Sequence, residues 1–364
     1  MSTLQISLAI AGGLGLAAMV AYNAWTSRRN APKQADPDAR DTVPLPHAHA
    51  PADGADPLAQ RQEPAFDIGT APGMADAGPE PLLRMPPPTE RRGALDLLID
   101  AIAPMQPEHV VAGEAALAAL PPTRRAGSKP FAIEGLNAAT RQWEQPAAGQ
   151  RYTNFQAGVQ LANRTGALNE IEYSEFVMKA RAFADAIGAE PDFPDMLQVV
   201  ARARELDQFA GDHDAQLAFV LRARQAAWSP GYIQQNAQRL GFLPGAIPGR
   251  MVLPAPAAGL SPVLSLAFDS QAAMSEDPAQ TAVREVVLSL DVPQVPRGEQ
   301  PFQRLREAAA ALAGAMDGVV TDQNGQALSP QALDHIGAEV EQLYDKLDRH
   351  DLGAGSVLAR RVFS

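Results

Sequence analysis

The sequence predicts an α+β protein on a membrane anchor: a single N-terminal transmembrane helix, a disordered Pro-rich linker, and a C-terminal split βαβ-type antiparallel sheet with helices on one face. A candidate duplication of that unit lies upstream. Three observations predict this. Leu4 to Tyr22 carries no charged residue, 13 of the 32 prolines fall between Asn30 and Glu90, and strand-like alternation trades with helical periodicity from Ala94 onward. These shifts give residues 1–3 as a short outer N-terminus, 4–25 as the helix, and 26–91 as the linker. Residues 92–211 form a degenerate half-domain, 212–352 the main domain, and 353–364 a tail.

The first element follows from length. About 20 residues at 1.5 Å rise cross a hydrocarbon core of roughly 30 Å, and Tyr22 and Trp25 stand where interfacial aromatics hold a helix end. A secretory leader would need a basic segment before the apolar run, and none is present. Arg28, Arg29 and Lys33 follow the run, so the positive-inside rule places the N-terminus in the periplasm and everything downstream in the cytoplasm. Gly12, Gly13 and Gly15 lack the preceding strand of a dinucleotide turn. Gly13, Ala17 and Ala21 instead make a small-residue ridge that would let two such helices form a homodimer. The linker buries too little apolar surface to offset its conformational entropy, and as a flexible chain of about 60 residues it reaches on the order of 45 Å.

The main domain is read strand by strand. Over Gln216–Arg224, Leu217, Phe219, Leu221 and Ala223 face one way, and Ala218, Val220, Arg222 and Arg224 the other. Ser229-Pro230 starts a helix over Tyr232–Leu240, closed by Gly241. Arg250–Leu253, Val263–Phe268 and Val283–Val292 read as strands, the last ended by Pro293. Phe302–Met316 is an alanine-rich helix, Val319–Thr321 a short strand, and Ser329-Pro330 opens the closing helix over Leu333–Leu347. This order packs helices on one sheet face. Upstream, Ala94–Ala103 resembles a first strand, Val110–Leu120 a helix and Phe155–Leu161 a strand. The helix end Ala182–Gly188 echoes Ala311–Gly318.

Composition excludes several functions. A net charge of -12 and a pI near 5.0 oppose nucleic-acid binding, which needs clustered Lys and Arg. With no cysteine there is no disulfide, thiolate nucleophile or Cys-based metal site. His47 and His49 have metal-ligand spacing but no third ligand, and His109, His213, His335 and His350 stand apart. Asp212 to Asp214 around His213 is the best acid-base cluster, yet it lacks a paired nucleophile. The expectation is a binding protein without catalytic residues, metal or cofactor. Asn163-Arg164-Thr165 fits a glycosylation acceptor, which cytoplasmic placement makes irrelevant.

Local motifs then resemble the ZipA family of bacterial cell-division proteins. Trp25-Thr26-Ser27-Arg28 follows the anchor. Gly241-Phe242, Ser265-Leu266-Ala267 and Val292-Pro293 come next, and then Gly318-Val319-Val320-Thr321-Asp322 and Leu328-Ser329-Pro330-Gln331 in the same order as in that family. The resemblance covers the anchor junction and the last 150 or so residues. It implies a domain whose helix-free sheet face holds the C-terminal tail peptide of FtsZ, at the division septum of the inner membrane. Carried over by parity, that face comprises Ala218, Val220, Met251, Leu253, Ser265, Ala267, Val287 and Ser289, with Arg222 meeting an acidic side chain of the peptide. Asp269 and Ser289 depart from the large apolar residues usual there. The alternative is a membrane-anchored envelope scaffold or adaptor with a different partner.

Overall fold

The computed structural model describes residues 32–35 and 95–364, apart from 258 and 279. The anchor read at 4–25 and most of the linker lie outside the described residues. Among the described residues no helix is long and apolar enough to cross a membrane.

The first half builds a sheet from β1 (Asp100–Pro107), β2 (Lys129–Asn137), β3 (Arg151–Gln160) and β4 (Ala189–Pro191), antiparallel in the order β2-β3-β1-β4. Ala101, Ala103 and Met105 of β1, Phe131 and Ile133 of β2, and Phe155, Ala157 and Val159 of β3 alternate onto one face. They meet Phe176, Ala180 and Phe183 of helix α2 (Glu170–Ile187), which follows the short helix α1 (Gly113–Ala119). Each large apolar side chain so buried contributes about 1.5–3 kcal/mol. Asn169 opens α2 with a capping box, accepting from the amides of Ile171 and Glu172. Gly188 ends α2 at φ 65, a left-handed conformation that costs glycine little. Helix α3 (Met196–His213) leads to the second half.

The second half repeats this plan. β5 (Gln216–Ala223), helix α4 (Pro230–Arg239), β6 (Arg250–Leu253), β7 (Leu264–Ala267), β8 (Glu285–Asp291), helix α5 (Pro301–Met316), β9 (Gly318–Thr321) and helix α6 (Pro330–Arg349) follow in turn. Its antiparallel sheet runs β6-β7-β8-β5-β9, so the run β7-β8-β5-β9 has the connectivity of β2-β3-β1-β4. The helix ends at Ala182–Gly188 and Ala311–Gly318 each lead directly into the last strand of their sheet. Ser229 and Ser329 cap α4 and α6, accepting from the amides of Tyr232 and Ala332, with proline at the first turn. Phe219, Leu221, Leu266, Val286, Leu288 and Leu290 pack against Ile233, Leu305, Leu312 and Tyr344 of the three helices.

Three expectations shift. The strand read at Ala94–Ala103 begins only at Asp100, because Asp96 accepts the amides of Ile99 and Asp100 and turns the chain, leaving Leu97 68% exposed. The helix read at Val110–Leu120 starts at Gly113, since Val111 and Ala112 pair with β3 first. Residues 353–364, read as a tail, carry helix α7 (Val357–Val362). Its Ala359 and Val362, with Phe363, share a core with Ile99, Ala210, Leu347 and Leu352. Arg361 there grips the fully buried Asp100 through two hydrogen bonds of 2.5 and 3.0 Å, and Gln160 donates to the Arg361 carbonyl. Burial pushes the Asp100 carboxyl up and the guanidinium pulls it back, leaving it above the ordinary range. Arg164 of the first half also bridges Asp214 and Asp291 at 2.6 and 2.7 Å.

A fourth correction concerns the linker. Residues 32–35 fall within the stretch read as disordered, yet Lys33 forms a parallel bridge to Trp228.

Candidate peptide-binding face

Helices α4, α5 and α6 clothe one side of the second sheet, and register fixes which residues face away. Cross-strand pairing aligns Ala218 with Ser289, Ser289 with Ser265, and Ser265 with Val252. The next row aligns Thr321, Val220, Val287, Ala267 and Arg250, and a third aligns Val319, Arg222 and Glu285. Ala218, Ser265, Ala267, Val287, Ser289 and Val252 are half-buried. None is charged. The first row therefore has a floor of small side chains, into which a bulkier apolar side chain fits better than into a Leu or Phe floor.

Two residues leave the site. Met251 is 1% exposed in the helix-side core, and Leu253 packs against that core. In a four-residue strand a slip of one position exchanges the faces, and pairing of Met251 with the core residue Leu266 sets the parity. Val252 and Arg250 face outward instead. Val220 has the expected parity but is only 5% exposed, between Val287 and Thr321. Arg222 lies 3.3 Å from Glu285, both side chains partly exposed, so its charge already has a partner on the sheet.

The site's rim explains one departure from the family. Asp269 does not stand on the face at all: it caps a one-turn helix at Ser270–Ala273, accepting from the amide of Gln271 at 2.8 Å. Beside it an open groove of about 460 Å³ is lined by Ala267, Asp269, Arg284, Glu285 and Val287, among others. The open face thus runs into a rim carrying both signs of charge.

The first sheet offers the control. Counted from the first residue of each last strand, Pro107 with Ala189 corresponds to Ala223 with Gly318. The equivalent helix-free rows are then Ile102, Gly158 and Ala132, and Pro104, Gln156 and Glu134. Here the chain covers part of the face. The Leu95 side chain sits on Gly158, where a Cβ would collide with it. The Leu95 amide donates to Glu134 Oε1 at 3.0 Å, and Gln156 donates to Oε2 at 2.9 Å.

The acid-base cluster around His213 has structural partners. His213 stacks on Phe209, with ring centroids 4.3 Å apart, and Asp214 pairs with Arg164. Among the described residues no group of three or more His, Asp or Glu side chains is placed to hold a metal.

Comparison with known proteins bears on this half. Residues 270–339 match the family model described as ZipA, C-terminal FtsZ-binding domain, so the chain is ZipA-like over β8, α5, β9 and the first half of α6. No curated protein matches the chain. A solved berberine bridge enzyme variant in complex with (S)-reticuline is 10% identical over 72% of this chain, with a TM-score of 0.16. The match covers 54% of that enzyme's chain, and at that TM-score it carries no argument.

Proposed function

Taking the chain as ZipA-like, we propose that it is a non-enzymatic tether for the bacterial division ring. Its second sheet binds the C-terminal tail peptide of FtsZ, and residues 4–25 hold it in the inner membrane with the domain in the cytoplasm at the septum. The observation that carries this reading is the uncharged, half-exposed surface of Ala218, Ser289, Ser265, Val252, Val287 and Ala267, on a half that contains the ZipA-like match. A shallow apolar face edged by charge suits a short peptide with apolar anchors and charged flanks. Individual contacts of this kind are weak, and many copies on one membrane turn them into avidity toward a filament. A homodimer through the Gly13, Ala17 and Ala21 ridge would double the valency of each unit.

Fluorescence polarisation with the FtsZ tail peptide and the full chain tests the proposal. Saturable binding in the micromolar range is expected. Absence of binding at high micromolar peptide would reject it and favour the scaffold or adaptor reading. A reporter fused after Ser364 is expected to be active only in the cytoplasm.

A further inference from the structure

Residues 32–35 pair with the second half of the protein. The Lys33 amide donates to the Ala227 carbonyl at 2.7 Å, and the Ser229 amide donates to the Lys33 carbonyl at 2.9 Å. This is the two-bond pattern of a parallel bridge to Trp228, which in turn pairs with Val283. The segment thus adds an outer strand of a single residue beside the end of β5. Its side chain adds a third bond: Lys33 Nζ donates to the Met316 carbonyl at 3.0 Å and lies 3.7 Å from Asp317. Met316 ends helix α5, where free carbonyls and the helix dipole favour a cation. The Trp228 indole donates to the same carbonyl at 2.8 Å, so a fully buried core residue and the segment share one acceptor. Pro32 is buried and Ala35 lies against Gly231.

From this we infer that Pro32–Ala35 is an intrachain docking strand that fastens the binding domain beside the membrane end of the chain. The inference rests on the reading of residues 4–25 as the anchor. Only residues 26–31 then separate anchor from domain, and six residues at full extension span at most roughly 20 Å. The proline-rich stretch does not set the reach while the strand is docked, because the chain on either side of it, at 32–35 and from Leu95 onward, belongs to one compact unit. Undocking releases the long tether, with a reach on the order of 45 Å or more. The protein therefore has a short and a long state, and the switch is a bridge of two backbone bonds and one lysine.

The chain has no cysteine, so an Ala311→Cys variant carries one label on an exposed position of α5. Energy transfer from that label to acceptor lipids is measured for the full chain in liposomes, with and without Lys33→Pro, which removes the donor to Ala227. Transfer is expected to be high and to fall by about half or more in the variant, as the domain gains reach. A Lys33→Glu variant, which sets a negative charge against Met316 and Asp317, should fall likewise. Equal transfer in all three chains would overturn the inference. Amide exchange gives an arm independent of the bilayer: Lys33 is expected to exchange on the order of 100-fold more slowly than a free peptide. Unprotected exchange at Lys33 would overturn the docking itself. Failure of the unaltered chain to float with liposomes would instead overturn the anchor reading and the short tether built on it, while protection at Lys33 would still support the strand. Unchanged circular dichroism and thermal unfolding show that the variants remain folded.

Discussion

On the first sheet the helix-free row Ile102, Gly158 and Ala132 lies under Leu95, whose amide is held by Glu134. On the second the corresponding row Ala218, Ser289 and Ser265 is half-buried and carries two hydroxyls, although the strand order is the same. The neighbouring rows diverge as well. Gln156 donates to Glu134 beside Pro104, whereas Val220, Val287 and Ala267 carry no polar side-chain group. On the first sheet the chain covers Gly158 with Leu95, while Pro104 on the same face stays exposed. The difference shows that one topology can carry faces of different chemistry.

The comparison is broken most severely at the joint between the halves. Arg361→Ala leaves Asp100 buried without its counter-charge, and a loss of about 3–5 kcal/mol is expected in chemical denaturation. Loss of the α7 joint should also separate one unfolding transition into two. A smaller effect should appear on the second face alone. Val287→Glu places a charge on the open row, and tail-peptide binding is expected to weaken by about 10-fold or more, equivalent to ~1–3 kcal/mol. Pro104→Glu, at the position of the first sheet that corresponds to Val220, is expected to leave the polarisation curve unmoved. Leu95→Ala uncovers Gly158 and should cost the first half about 1–2 kcal/mol, the value for a half-buried leucine, without altering peptide affinity.

The smallest effect is one of pH. Burial works against the Glu172 carboxylate, but hydrogen bonds from Ser128 and Asn169 and the charge of the buried Lys129 hold its pKa below the ordinary value. A depressed carboxylate pKa contributes stability that is complete above about pH 4.5 and is lost as pH falls through the folded value. The first half should therefore weaken selectively in acid, and Glu172→Gln should flatten that dependence in denaturation curves taken across the range.

Much of the second half was legible in the sequence. The pairs Ser229-Pro230 and Ser329-Pro330 announce helix starts through a cap and a fixed φ, and alternation over β5 and β8 gives the correct faces. β6 was misread because four residues, Arg250–Leu253, hold too few alternations to fix parity, and only the pairing with Leu266 decides it. The first half was harder. Its strands β2 and β3 carry Glu134, Asn137 and Gln160 buried in polar networks, which erase the apolar alternation that marks a strand. Leu95 as a lid and Lys33 as a docking strand have no local signature at all, since both act through residues far away in the chain.

The central claim is that the peptide seat is the open row of the second sheet, and amide chemical shifts of the full chain titrated with FtsZ tail peptide test it most directly. Saturable changes at Val252, Ser265, Val287 and Ser289, with Ile102 and Gly158 still, are the expected result. No change at high micromolar peptide, or changes confined to the first sheet, would contradict it.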